Sequence, residues 1–440
     1  MEGATAVPDA RRAGAGDSRD RRRVWFVSAV QQENVESTTH IFARLAEALS
    51  EVFVTGVLTP PPRQLVPAPR DASFGRWFLS RFRRALVGSL RVFARALREV
   101  RPGDVVMVVT NPPMLPVLMS VVSRLRRTRL IIVVHDVYPD VLYATGLMPV
   151  NSVTGRLLDR LARGALRRAD RVVVIGRDMK RHIESKLGGA SAHVIYIPSW
   201  ADPDIAPRNV PDADVTRPLV VQYSGNMGVT HPVETLLDCA ELLQQRGTRV
   251  QFEVFGWGLR FAWFSEEMER RGLRNITLGA PCLRPLLGSQ LARGDVALVL
   301  MRRNMTGISV PCRAYNIMAA GRGLIVAADA GAEVATMVRE HALGWVVPPQ
   351  DAKELADAVE DATRQREELR AMGSRAAGVA ASEYAFDRVI QKYAAVIEGV
   401  WSQSHNQERM KRHDFPQIAS LAAGHDGACT TAARPNTQDS

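Results

Sequence analysis

The chain has 440 residues, 46% hydrophobic and 23% charged, with a formal net charge of +11. Such a chain is globular and long enough for two domains with cores of their own. Its four cysteines, Cys239, Cys282, Cys312 and Cys429, show no CxxC spacing, and no uncharged apolar stretch approaches ~18 residues, which argues against a metal cluster, a disulfide framework or a spanning helix.

Residues 1–22 are rich in Arg and Ala and lack the apolar core of a signal peptide, so they are expected to form a disordered basic extension. The apolar run 24–30 reads as a buried first strand. Ser37, Thr38 and Thr39 are placed to cap an amphipathic helix over 41–49. A strand (52–58), a Pro-rich loop (59–69) and a basic amphipathic stretch (74–101) follow. Next come a strand at 104–110, the turn Asn111-Pro112-Pro113, a helix, and a strand at 130–134 that runs into His135-Asp136-Val137-Tyr138-Pro139-Asp140. A helix over 151–168 and strands at 171–175 and 194–197 complete a first unit, 23–200. Residues 201–217, rich in Asp, Pro and Arg, read as a linker.

The second unit, 218–385, opens with a strand at 219–223, the loop Ser224-Gly225-Asn226-Met227-Gly228-Val229-Thr230-His231-Pro232 and a helix over 233–245. Strands at 250–255, 276–278 and 296–300 alternate with helices. Around 295–333, strand, polar loop, small-residue helix, Gly321 and strand form a βαβ unit, so this sheet should be parallel. A C-terminal helix is expected over 386–402, long enough that it could return to the first unit. Beyond Gln403 the apolar periodicity fades, and 403–440 is expected to be a disordered tail.

In parallel sheets ligands sit at the carboxyl ends of strands, beside helix N-termini with free N–H groups. Residues 301–313 and 329–333 are two such ends side by side, with Arg302, Arg303 and Arg313 at the first. Gly225, Asn226 and Gly228 follow a strand and open a helix, which suits close backbone approach to a phosphate. His135 ends a buried strand and could orient or deprotonate a hydroxyl near neutral pH, with Asp136 and Asp140 as rival bases. The alternative is a His satisfied by a loop carbonyl. No DxD carboxylate pair stands at a strand end, so no metal is expected.

The run VP-C-R-x-Y-x-I-M-A-A-G, followed by D-x-G-x-E, resembles the nucleotide-sugar loop of family 4 glycosyltransferases of the GT-B fold, in particular the bacterial branch that builds lipid-linked surface polysaccharides. The resemblance covers about residues 24–400. It implies an α/β fold of two Rossmann-like doubly wound domains facing across a cleft, and transfer of a hexosyl group from a nucleoside diphosphate donor, without cofactor or metal, to a saccharide expected to be lipid-linked. It places Arg313 on the donor diphosphate, Glu333 on the sugar or ribose, His135 and Asp136 at the reacting centre, and Gly225, Asn226, Gly228 and Asn316 around the donor; Arg303, standing beyond a strand end, could also reach its phosphates. The family usually has Glu where this chain has Asn316, and another eight residues earlier at Ile308. These departures keep a non-catalytic scaffold open, and a nucleotide-sugar epimerase or hydrolase is the other alternative.

The charge of +11 admits nucleic acid, a membrane or an anionic substrate, but no pattern of a nucleic-acid-binding module is present. Residues 74–101 hold eight arginines and one acid, Glu99. Phe74, Phe78, Phe82, Leu86, Leu90, Phe93 and Leu97 fall on one helical stripe, with Arg84, Arg91, Arg95 and Arg98 on another side. That is the pattern of a helix lying on an anionic surface. It gives the expectation of a cytoplasmic protein at the inner face of the cell membrane.

Overall fold

The computed structural model describes residues 23–28, 37–60, 74–207, 217–228, 230–280 and 284–413. The expected extension at 1–22, nearly all of the Pro-rich loop, the middle of the linker and the chain after His413 lie outside these residues.

Six parallel strands form the first sheet: β1 (Val24–Val27), β2 (Thr55–Leu58), β3 (Val105–Val109), β4 (Arg129–Val134), β5 (Arg171–Val174) and β6 (Val194–Tyr196), in the order β2-β1-β3-β4-β5-β6. Their side chains alternate between two apolar layers, as a sheet covered on both faces requires. Val106, Val108, Ile132 and Val134 pack on one side. Val105, Met107, Ile131 and Val133 pack on the other. Helices α1 (Ser37–Ser50), α2 (Phe74–Glu99), α3 (Leu115–Arg126), α4 (Asp140–Ala144), α5 (Val153–Arg168) and α6 (Arg177–Leu187) connect the strands. Helix α1 already includes Ser37, Thr38 and Thr39, the residues expected to precede it.

The second sheet is also parallel: β7 (Leu219–Asn226), β8 (Val250–Trp257), β9 (Ile276–Gly279), β10 (Val296–Leu300), β11 (Gly323–Ala327) and β12 (Gly344–Val347). Its order is β12-β11-β10-β7-β8-β9. From β7 the chain winds outward through β8 and β9, and from β10 it winds the other way. The crevice of this sheet therefore lies at the carboxyl ends of β7 and β10, where the winding reverses. Its helices are α7 (Val233–Gln245), α8 (Phe261–Arg270), α9 (Leu287–Leu291), α10 (Arg313–Ala319), α11 (Glu333–Glu340), α12 (Ala352–Arg364) and α13 (Arg366–Ser382). Strand β7 runs three residues past the expected end, because Ser224, Gly225 and Asn226 continue the register opposite Phe255, Gly256 and Trp257.

The last helix, α14 (Phe386–His413), packs on the first sheet. Val389, Tyr393, Ile397 and Val400 share a cluster with Phe26, Phe42 and Met107. Trp200, just before the linker, is buried edge-on against Phe386, with centroids 5.5 Å apart. The helix passes Gln403 without a break, so the stretch expected to be unstructured from that residue is helical as far as His413.

Helix α2 differs from the expected amphipathic arrangement. Among residues 83–99 the buried line is Ser89, Val92 and Ala96, a face of small side chains. Part of the bulky stripe lies beside that face: Phe93 and Leu97 are partly covered, whereas Leu90 is 48% exposed and its neighbour Val87 41%. Small residues let the helix approach the domain closely, and this turns Leu90 outward among the arginines.

Candidate active site

Near the carboxyl end of β7, Gly225 has φ 153°. A Cβ there would stand 2.6 Å from Nη1 of Arg313, so only glycine allows the guanidinium this close to the backbone. Arg313 opens α10, lies 5.1 Å from the Tyr223 ring centroid, and donates from Nη1 to the Ser224 carbonyl at 3.4 Å. The sequence pattern thus places two residues 88 positions apart at one spot. Asn226 turns its amide oxygen toward Gly258, where any side chain would collide with it. At Gly228 a Cβ would meet nothing nearer than 3.7 Å, so packing within the protein does not demand glycine there.

The same loop carries His231, which the sequence reading passed over. Its Nδ1 lies 3.1 Å from the Thr230 hydroxyl. Burial, reinforced by the positive charges of Arg313 and Arg302, holds the imidazole well below its ordinary pKa. Arg302 has a buried Nε without a hydrogen-bond partner among the described residues. Two guanidinium groups and a neutral imidazole therefore converge at the switch point of the second sheet, a setting for a multiply charged anion. Only the position of His231 beside Pro232 in a βα turn could have drawn attention to it. Arg303 is exposed, with its Nε donating to the Pro349 carbonyl at 3.1 Å and its amide to Gln350 Oε1 at 3.2 Å. It is tied to the loop after β12. Arg260 pairs with Glu234 at 2.6 Å and stacks 4.5 Å from the Trp263 ring.

On the facing side, His135 follows β4 and is 6% exposed. The Thr110 hydroxyl accepts from the His135 amide at 3.2 Å and the Asp136 amide at 3.4 Å, fixing the strand end. Burial lowers the His135 pKa to about 4. Burial also raises that of Asp136, against the opposing hydrogen bond from Ser309. Asp140 is engaged elsewhere: His182 Nε2 lies 2.8 Å and Lys186 Nζ 2.7 Å from its oxygens. Burial works against its ionisation, but these partners outweigh it and its pKa falls. Asp136 is the carboxylate left beside His135.

The two sheets meet at these strand ends. Asp136 bridges to Ser309, and the Val137 amide donates to the Ile308 carbonyl at 2.8 Å. Ile308 is buried in an apolar cluster with Val137, Met179 and Val310. A carboxylate at that position would have to be desolvated. Asn316 accepts with its Oδ1 from the Asp202 amide at 3.0 Å, so here it ties the linker to α10.

Glu333, which the resemblance places on the sugar or ribose, is buried at the junction of the two domains. Its side chain is 2% exposed, and residues of the first domain engage both oxygens. The Arg177 amide donates to Oε2 at 2.7 Å, Arg177 Nε to Oε1 at 2.9 Å, and the Tyr196 hydroxyl to Oε1 at 3.2 Å. Arg177 also forks onto Glu340 at 3.0 and 2.8 Å. Sequence gave no cue to these partners. Among the described residues no group of three or more His, Cys, Asp or Glu could hold a metal ion.

Comparison with known proteins identifies the family and the fold. Residues 35–200 match the family described as glycosyl transferase 4-like domain, and residues 218–365 match glycosyl transferases group 1. The protein named probable glycosyltransferase WbjE, from Pseudomonas aeruginosa, is 29% identical over 337 residues, covering 74% of this chain and 81% of WbjE. WcaI of Escherichia coli (strain K12), named for glycosyl transfer in colanic acid biosynthesis, is 26% identical over 257 residues, 56% of this chain and 62% of WcaI. Among solved structures, HepE of Anabaena in complex with UDP and glucose superposes with a TM-score of 0.62 at 15% identity, covering 86% of this chain and 100% of that one. At that identity the likeness speaks for the fold.

Proposed function

Because this chain belongs to the family 4 glycosyltransferases of the GT-B fold, we propose that it moves a hexosyl group from a nucleoside diphosphate donor to a hydroxyl of a lipid-linked saccharide in polysaccharide biosynthesis. The observation that carries the donor assignment is the convergence of Arg302, Arg313 and neutral His231 at the end of β7 and β10. Two guanidinium groups at a half-buried site can neutralise the charge that develops on a departing diphosphate. Gly225 keeps the backbone low enough for the phosphates to reach them, and Asn226 and Gly228 line the same edge. No metal is needed in this reading. The HepE complex with UDP and glucose supports the class of donor, and the names of WbjE and WcaI support the reaction and its setting.

The acceptor hydroxyl would be received at the end of β4. His135, neutral through most of the pH range, can accept its proton, and Asp136 lies next to it. Glu333 would touch the sugar only by exchanging Arg177 and Tyr196 for it. A panel of nucleotide sugars tested by thermal shift checks the donor reading. A cognate donor at about 100 times its dissociation constant should add about 2.7 kcal/mol of stability. If no nucleotide shifts the melting temperature, the scaffold alternative takes over, consistent with Asn316 and Ile308 in place of the usual carboxylates.

The same reading puts the enzyme at the inner face of the membrane through α2. Arg84, Arg91, Arg95 and Arg98 are exposed along it, and Leu90 and Val87 project among them. Each Arg near an anionic surface contributes on the order of 1 kcal/mol. The contribution of Arg95 is shared with Glu99, 3.0 Å away. No described helix is long and apolar enough to cross a membrane. In liposome sedimentation, binding should require anionic lipid, weaken with salt, and fall when Arg84, Arg91 and Arg95 become Gln. Indifference to lipid charge, salt and all three substitutions would refute surface attachment.

A further inference from the structure

Helix α11 begins at Glu333, and its N-cap is Ala332, whose side chain offers no acceptor. An Ala cap typically costs a helix ~1 kcal/mol relative to Ser or Asp. Yet the Glu333 amide is not left open. It donates at 3.1 Å to Oδ2 of Asp178, 155 residues away in the first turn of α6. The same oxygen accepts from the Gly307 amide at 2.8 Å, and Oδ1 accepts from the Met179 amide at 2.7 Å. Asp178 is buried, at 4% exposure. One carboxylate of the first domain thus holds both strand-end loops of the second, the one after β10 and the one after β11.

The glycines at this junction show how close the approach is. A Cβ on Gly176 would lie 2.8 Å from Val310 and 3.4 Å from the Glu333 Cβ. A Cβ on Gly307, whose φ is 73°, would lie 2.8 Å from the His182 Cβ and 3.0 Å from the Asp178 carbonyl. Larger residues at either place would hold the loops away from Asp178.

We propose that Asp178 is a positioning residue of the donor site, supplying from the first domain the helix cap that the second domain lacks, so that the loops 305–309 and 329–333 take their donor-binding shape only when the domains meet. This rests on the donor reading given above. It makes capture of the donor and apposition of the acceptor side a single event, because the group that shapes the donor loops belongs to the acceptor-side domain.

The test compares wild type with Asp178→Ala and Asp178→Asn in the full chain. Amide hydrogen exchange at Gly307 and Glu333, measured without ligand, should accelerate in Asp178→Ala. Affinity for uridine or guanosine diphosphate by calorimetry should fall about five- to thirtyfold, the range of one lost cap. In turnover the donor KM should rise more than kcat falls. Asp178→Asn keeps an oxygen acceptor of the same shape and should recover part of both effects. If Asp178→Ala does not fold, the asparagine variant carries the test, with smaller changes in the same direction. Unchanged exchange at the two amides would overturn the proposal, as would faster exchange with unchanged nucleotide affinity and donor KM. Should wild type itself bind neither diphosphate while exchange accelerates in the variant, it is the donor reading of these loops that fails, and the trans cap remains as a structural contact.

Discussion

Arg313→Ala is expected to weaken nucleoside diphosphate binding about ten- to hundredfold while leaving the fold intact. Hydrogen bonds to charged groups contribute about 1.5–3 kcal/mol each, and about 1.4 kcal/mol is a factor of ten in affinity. Within the protein, Arg313 has a stacking contact with Tyr223 and one long hydrogen bond to the Ser224 carbonyl. Its loss should therefore cost little stability. Arg313→Lys should recover only part of the affinity, because an ammonium is a point charge without the planar fork that matches phosphate oxygens. Calorimetric titration measures both. An alanine variant that binds diphosphates like wild type would remove Arg313 from the donor site, and with it the assignment of the crevice at β7 and β10.

The second large effect concerns His135. His135→Ala should lower turnover by about 10²–10⁴ if the imidazole takes the acceptor proton, with donor affinity preserved because the side chain sits on the other sheet. The pH dependence sharpens this. Burial sets the folded pKa at about 4, so the acid limb of the rate profile should fall near pH 4 rather than near the ordinary value of about 6.5. The sign for stability follows from the same shift. Between about pH 6.5 and 4 the unfolded chain binds a proton at this residue that the folded chain refuses, so stability falls as pH falls through that window and is flat above it. The alanine variant should lose this part of the acid sensitivity. A variant that melts early yet keeps its specific activity would make His135 a packing residue satisfied by its burial. The corresponding change at Glu333 should act differently. Glu333→Ala strips Arg177 and Tyr196 of their shared partner at the domain junction, so stability and activity fall together.

The sequence by itself determined the two sheets and the ends at which ligands gather. Runs such as 105–109 and 296–300 are apolar throughout because a parallel strand is covered on both faces, and this leaves a readable local signal. Gly225 and Arg313 were legible for a related reason: each stands just beyond such a run, where the topology puts a crevice whatever the neighbouring side chains are. Tertiary structure decided which groups meet across that crevice. The resemblance pointed Glu333 at the sugar or ribose, whereas its partners here, Arg177 and Tyr196, lie 156 and 137 residues away. Asp178 drew no reading from the sequence, and only the closure of the two sheets makes it the cap of α11. His231 carries no pattern at all; its neutral state follows from burial between Arg302 and Arg313. In α2 the periodicity marked one bulky stripe, but the fold chose the small-residue face for contact and left Leu90 outside. Periodicity records which side of an element is apolar and where the element ends. Pairings between distant residues depend on the order of strands and the distance between sheets, and those are set by the packing of the whole chain.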